Sequence, residues 1–156
     1  MGGNRREDRM SRIERTQPGV FSAMEVAASG LTAQRTRMNL VAGNLANART
    51  TRTEDGTPYK RLDPVFSAEP VKAGDAAMNA VRKVSVSEIR ADTTPGQMVY
   101  DPGHPDANPQ GYVEYPNVNV VSEMVNMMSA SRAYEAGVTS LESLKSMAHA
   151  ALKIGR

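Results

Sequence analysis

The residues best suited to chemistry stand together in Tyr100-Asp101-Pro102-Gly103-His104-Pro105-Asp106-Ala107-Asn108. Asp101, His104 and Asp106 would offer one imidazole and two carboxylates, the donor set of some open iron or zinc sites. Their spacing follows no metal motif, and two prolines with a glycine make the stretch rich in turns. It reads as a rigid connector before it reads as a metal site. His149 falls near the end of an amphipathic stretch and reads as a packed or solvated side chain. With no cysteine, no GxSxG elbow and no glycine-rich phosphate cradle, nucleophilic and nucleotide chemistry lack their usual signatures. Glu135 with Arg132, and Glu142 with Lys145 or Lys153, are spaced as solvated helix charges. No catalytic residue, metal or cofactor is expected, and a small metal-dependent enzyme built on Asp101, His104 and Asp106 is the distant alternative.

Charge narrows the partners. Nineteen basic against seventeen acidic residues leave +2, and only the leader NRREDRMSRIER concentrates positive charge, with three acids interrupting it. A nucleic-acid-binding protein needs a stronger basic footprint, so that reading is the third in rank. No apolar run reaches the length of about 20 residues that spans a bilayer. The N-terminus also lacks the uninterrupted apolar core of a signal peptide. Residues 1–19 are polar and Arg-rich and are expected to be a disordered leader, with Met10 as an alternative start.

The elements on either side of the loop carry a different pattern. From Val118 to Ile154, apolar or small residues recur at Val120, Met124, Met127, Ser131, Tyr134, Val138, Leu141, Leu144 or Lys145, Ala148 and Leu152. Steps of three and four predict one long amphipathic helix within residues 116–156. Asn117 and Asn119 offer N-cap oxygens, and Glu123 sits where the helix dipole favours an acid. At roughly 1.5 Å per residue such a helix spans roughly 50 Å, more than a small globule can cover. Residues 20–47 form the second helix, with Met24, Leu31, Met38 and Leu45 seven apart and Ala28, Val41 and Ala42 between them. Gln34 and Arg35 interrupt the seam, and Gly30 sits inside the helix at a cost of about 1 kcal/mol unless a close neighbour needs the space.

Residues 48–115 change character. Asp55-Gly56, Pro102-Gly103 and Asn108-Pro109 signal turns, and five of the seven aromatics lie here. Short β-compatible runs are Tyr59 to Phe66, Val81 to Ile89, Met98 to Tyr100 and Gly111 to Tyr115, while Ala68 to Ala80 reads as a loop. The expected fold is therefore α+β: long terminal helices pairing as an antiparallel coiled coil around a small β-rich insert. A plain helical hairpin would satisfy the same periodicity, but two helices cover only one side of each other. The Met-rich and Ala-rich remainder suits neighbouring chains.

Three stretches resemble the axial proteins of the bacterial flagellar rod and hook. The first is Ser29-Gly30-Leu31-Thr32-Ala33-Gln34-Arg35 to Asn39, then Val41-Ala42-Gly43-Asn44-Leu45-Ala46-Asn47-Ala48 and Thr50-Thr51. The second is Val99 to Asn108 and Gly111 to Val118, similar to the proximal rod members in particular. The third is Asn119-Val120-Val121, Glu123-Met124, Met127-Met128 and Ser131-Arg132-Ala133-Tyr134-Glu135-Ala136. Together they cover about two thirds of the chain, and Gly137 departs from the asparagine common in the family.

The resemblance implies a structural subunit of the proximal rod of the basal body. It would leave the cytoplasm through the flagellar type III export apparatus without a cleaved signal peptide. In the periplasmic space it would join other rod proteins and copies of itself in a helical, hollow, torque-transmitting tube. A distal rod or hook-type axial protein is the alternative within the family. Leu31, Met38, Leu45, Met124, Tyr134 and Leu141 are the expected subunit-packing positions, and Leu141→Asp is expected to block incorporation. Asn44 and Asn47 are expected to satisfy backbone groups where the first helix ends.

Overall fold

The computed structural model describes residues 19–71 and 81–154. Residues 1–18 of the expected leader, most of the expected 68–80 loop and residues 155–156 lie outside the described residues. The elements run in the order α1 (Val20–Ala46), β1 (Leu62–Pro70), β2 (Arg82–Ala91), β3 (Met98–Tyr100), β4 (Tyr112–Glu114) and α2 (Val120–Ile154). This is the α+β layout that periodicity and turn chemistry predict.

Two compact units cut across these elements rather than between them. The first takes the chain up to Thr32, Ser67–Ser85 and the chain from Glu135; the second takes Ala33–Phe66 and Val86–Tyr134. Within the second, Asn44 bonds to Glu123, and Arg37 reaches Asn126 at 3.2 Å. Within the first, the Leu31 side chain lies against Gly137. Within the second unit residue numbers rise along α1 as they fall along α2, so the two helices run antiparallel there.

Local chemistry sets the helix limits. Gly19 O accepts the first bonds of α1, from Ser22 N at 2.9 Å and Ala23 N at 3.3 Å. At its other end the Asn47 amide donates to Gly43 O at 2.9 Å, and Thr50 Oγ1 donates to Asn47 Oδ1. The start of α2 is capped by Asn119, whose Oδ1 accepts Ser122 N at 3.0 Å, the geometry of an N-cap bonding the third helical residue. Asn117, the other expected cap, is occupied elsewhere. Gly30 has nothing within 4 Å of a built Cβ, so no neighbour accounts for it.

The strands form two two-stranded sheets, β1 with β2 and β3 with β4. In the first unit, Val71 N donates to Val81 O at 3.1 Å and the Ser67 and Ser85 hydroxyls bond at 2.7 Å. In the second, Asp92 N donates to Arg61 O at 2.8 Å, so β1 and β2 are antiparallel. β1 starts later than the expected Tyr59, because Tyr59 N closes a loop on Thr50 O at 3.1 Å. It also runs through Ala68–Pro70, where a loop is expected; Arg82 donates across the hairpin to Ala68 O. β3 and β4 pair antiparallel, with Met98 opposite Glu114, Val99 opposite Val113 and Tyr100 opposite Tyr112.

The buried apolar side chains among the described residues are small: Ala33, Val41, Val113 and Ala130, all in the second unit. Such a core is thin for its length of chain. Its polar companions are Asn44 and Glu123, which link α1 to α2 at the same level.

Candidate functional site

Asn44, in the last turn of α1, is fully buried and uses both ends of its amide. Its Oδ1 accepts Leu62 N and the Tyr59 hydroxyl, each at 2.9 Å. Its Nδ2 donates to Leu62 O and to Glu123 Oε2, again at 2.9 Å. The side-chain amide thus mimics a strand partner for Leu62, while also reaching across to α2.

Glu123 is 1% exposed. Its Oε1 accepts Arg61 Nε at 2.8 Å and, more weakly, Asn126 Nδ2 at 3.4 Å. Burial pushes the carboxyl up, but the Asn44 and Arg61 hydrogen bonds and the Arg61 charge outweigh it and hold Glu123 below its usual range. The Glu123 bond in turn raises Arg61, whose guanidinium also meets Asp63 at 3.3 Å. Burial first, then the Glu123 charge, raises Tyr59. Asn117 completes the junction: its Oδ1 accepts Arg61 N at 2.8 Å, and its amide donates to Asp92 O and Thr94 O. Helix ends and strand starts in this unit are therefore joined by one polar cluster. Asn44 belongs to it through Leu62 rather than through the helix end, which Asn47 serves.

Glu123, Arg61, Asn117 and Tyr59 are missed by reasoning from periodicity. A faint signal exists, because Glu123 lies four, seven and eleven residues before Met127, Ala130 and Tyr134, on the same helical face. An acid on an apolar face needs a partner.

The turn-rich loop behaves as a connector. Asp101 N donates to Gly111 O at 2.9 Å, and Asp101 Oδ1 accepts Gly103 N at 3.2 Å. His104 Nδ1 accepts Asp106 N at 3.1 Å, leaving that nitrogen engaged in the turn. Asp106 accepts Thr51 Oγ1 at 2.8 Å and lies 3.5 Å from Arg52, docking the loop on the chain that follows α1. Gly111 sits at φ +82°, where a Cβ would also meet the Tyr100 ring at 2.8 Å. Among the described residues, no three His, Asp or Glu side chains are placed to hold a metal ion. His149 is exposed on α2.

The expected packing positions fall into two groups. Leu31, Met38, Leu45, Tyr134 and Leu141 are half-buried, Leu31 against the gap left by Gly137. Met124 is 53% exposed, because Glu123 occupies the inward position at that level. It stands instead with Val121 (71% exposed), Val125 and Met128 in an outward row spaced at three, four and seven residues. Phe21, Met147 and Leu152 are further exposed apolar side chains, in the first unit. No helix among the described residues is long and apolar enough to cross a membrane.

Comparison with known proteins bears on this arrangement. The profile of the family described as "Flagella basal body rod protein" matches residues 24–52. That described as "Flagellar basal body rod FlgEFG protein C-terminal" matches residues 110–154. The chain is 46% identical to the flagellar basal-body rod protein FlgC of Borreliella burgdorferi, over 87% of this chain and 97% of that protein. It is 44% identical to FlgC of Escherichia coli over 88% and 98% of the two chains, and 42% identical to FlgC of Bacillus subtilis over 87% and 98%.

Proposed function

The chain belongs to the FlgC family of flagellar basal-body rod proteins, and on that premise we propose how it works within the rod. It is a structural subunit of the proximal rod and assembles with other basal-body rod proteins. Residues 20–47 and 116–156 serve as the axial helices, and residues 48–115 as the insert that makes lateral contacts. Neighbouring rod subunits, including copies of this chain, pack against the helical faces. Contacts between unlike faces do not close on themselves after a few copies, and so generate a helical tube. That tube is the hollow drive shaft that carries torque, standing in the periplasmic space. The subunit reaches it through the flagellar type III export apparatus, without a cleaved signal peptide.

The observation that carries this reading is the outward row Val121, Met124, Val125 and Met128 on a 35-residue helix. Large apolar side chains repeating along an exposed helix face are the mark of a surface awaiting a partner. Leu31, Met38, Leu45, Tyr134 and Leu141 support the pair from within, and Met124 faces the neighbour. The work is mechanical, and the Asp101, His104 and Asp106 loop is a stiff connector.

Mass spectrometry of purified hook–basal bodies, with a swimming assay on a deletion strain, tests it. The chain is expected in the rod fraction and the deletion strain is expected not to swim. Absence from the basal body in cells that still swim would overturn the reading.

A further inference from the structure

We propose that the buried Asn44–Glu123 contact, clamped by Arg61, is a register lock that fixes how far α2 lies along α1. The inference stands on the fold alone, and failure of the rod reading would leave it intact.

The need for a lock arises from the seam. In the second unit α1 offers Met38, Val41 and Leu45 and α2 offers Met127, Ala130 and Tyr134, all apolar or amphipathic at spacings of three and four. A slide by one heptad, about 10 Å along the axis, again sets apolar positions opposite apolar positions. Small side chains such as Ala33 and Ala130 discriminate weakly between such alternatives. Hydrophobic burial alone therefore leaves several registers close in energy.

The polar cluster separates them. Asn44 and Glu123 are the two buried polar side chains of this unit among the described residues. In the observed register Asn44 makes four bonds of 2.9 Å, and Glu123 meets Arg61 at 2.8 Å. A slide would strand a carboxylate, an amide and part of a guanidinium away from water, each without its partner. A single buried polar residue that specifies register at some cost in stability is the best-attested use of such groups. The double bond from Asn44 to Leu62 N and O ties the same register to the first residue of β1. A helix pair in the wrong register would thus also lose the seating of that strand.

The full chain has no cysteine, so Asn39→Cys and Ser129→Cys, at exposed sites within one unit, take two nitroxide labels cleanly. Electron–electron resonance on that background is expected to give one distance; several distances would already overturn the lock. The Asn44→Leu, Arg61→Met, Glu123→Leu combination is expected to keep its helical circular dichroism. It should gain a second population displaced by about 10 Å along the axis, one heptad. An unchanged single distance would overturn the proposal. If that combination loses its helicity, Asn44→Leu with Glu123→Leu, which removes both sides of the contact, decides on the same readout. A new distance supports the lock, and an unaltered distribution contradicts it.

Discussion

Glu123 shows what a single position can decide. Position 123 lies in the first turn of α2, where an acid suits the helix dipole, and its place on the face of Met127, Ala130 and Tyr134 shows that it needs a partner without showing which. The partners are Arg61 and Asn44, which are 62 and 79 residues away in the chain. Long-range pairing of this kind is invisible to periodicity, and so is the strand-like bonding of Asn44 to Leu62. Removing one partner leaves buried polar groups uncompensated. Glu123→Ala is expected to cost about 3 kcal/mol, read by chemical denaturation. Replacing Glu123 and Arg61 together by Leu and Met should recover most of that loss. The pH dependence has a definite sign. The folded-state carboxyl is held below its unfolded value, so its contribution is complete above the unfolded pKa and fades as pH falls through the folded one. The midpoint of thermal unfolding should therefore drop in acid for the natural chain, and drop less for Glu123→Gln.

At the scale of elements, the helices were the most legible part. Repeats of three and four over 27 and 35 residues give the 3.6-residue period ample room to show itself. Which residues of that stripe face inward was less legible, because a step of one residue turns a helix face by about 100°. Met124 and Glu123 exchange roles on that account. The short strands followed turn signals in broad outline. β1 is displaced because loop closure by Tyr59 and the seating of Leu62 on Asn44 set its start. Helix interiors also carry unused stability. Gly30→Ala, with open space around the site, is expected to stabilise the chain by about 1 kcal/mol in thermal or denaturant melts. Asn119→Ala should lose about 1 kcal/mol, because Ser122 N gives up its cap.

For the whole molecule, family membership fixes the setting as a structural rod subunit, and the outward apolar row supplies a physical reason for assembly. The loop around His104 shows how chemistry-bearing residues become structural: Asp106 holds Thr51 and Arg52, and His104 accepts a backbone N–H. Its role as a connector was readable from proline and glycine, while its docking partners were not, since they lie about fifty residues earlier. In the proposed rod, neighbouring subunits cover the exposed row on α2. The most direct measurement is incorporation of Met124→Asp, expressed in a deletion strain and quantified in purified hook–basal bodies. The side chain is 53% exposed, so the isolated chain should keep its circular dichroism and melting midpoint. The natural chain is expected in the basal body and Met124→Asp is expected to be lost from it, with swimming abolished. Incorporation of Met124→Asp at the natural level, in cells that swim normally, would contradict it.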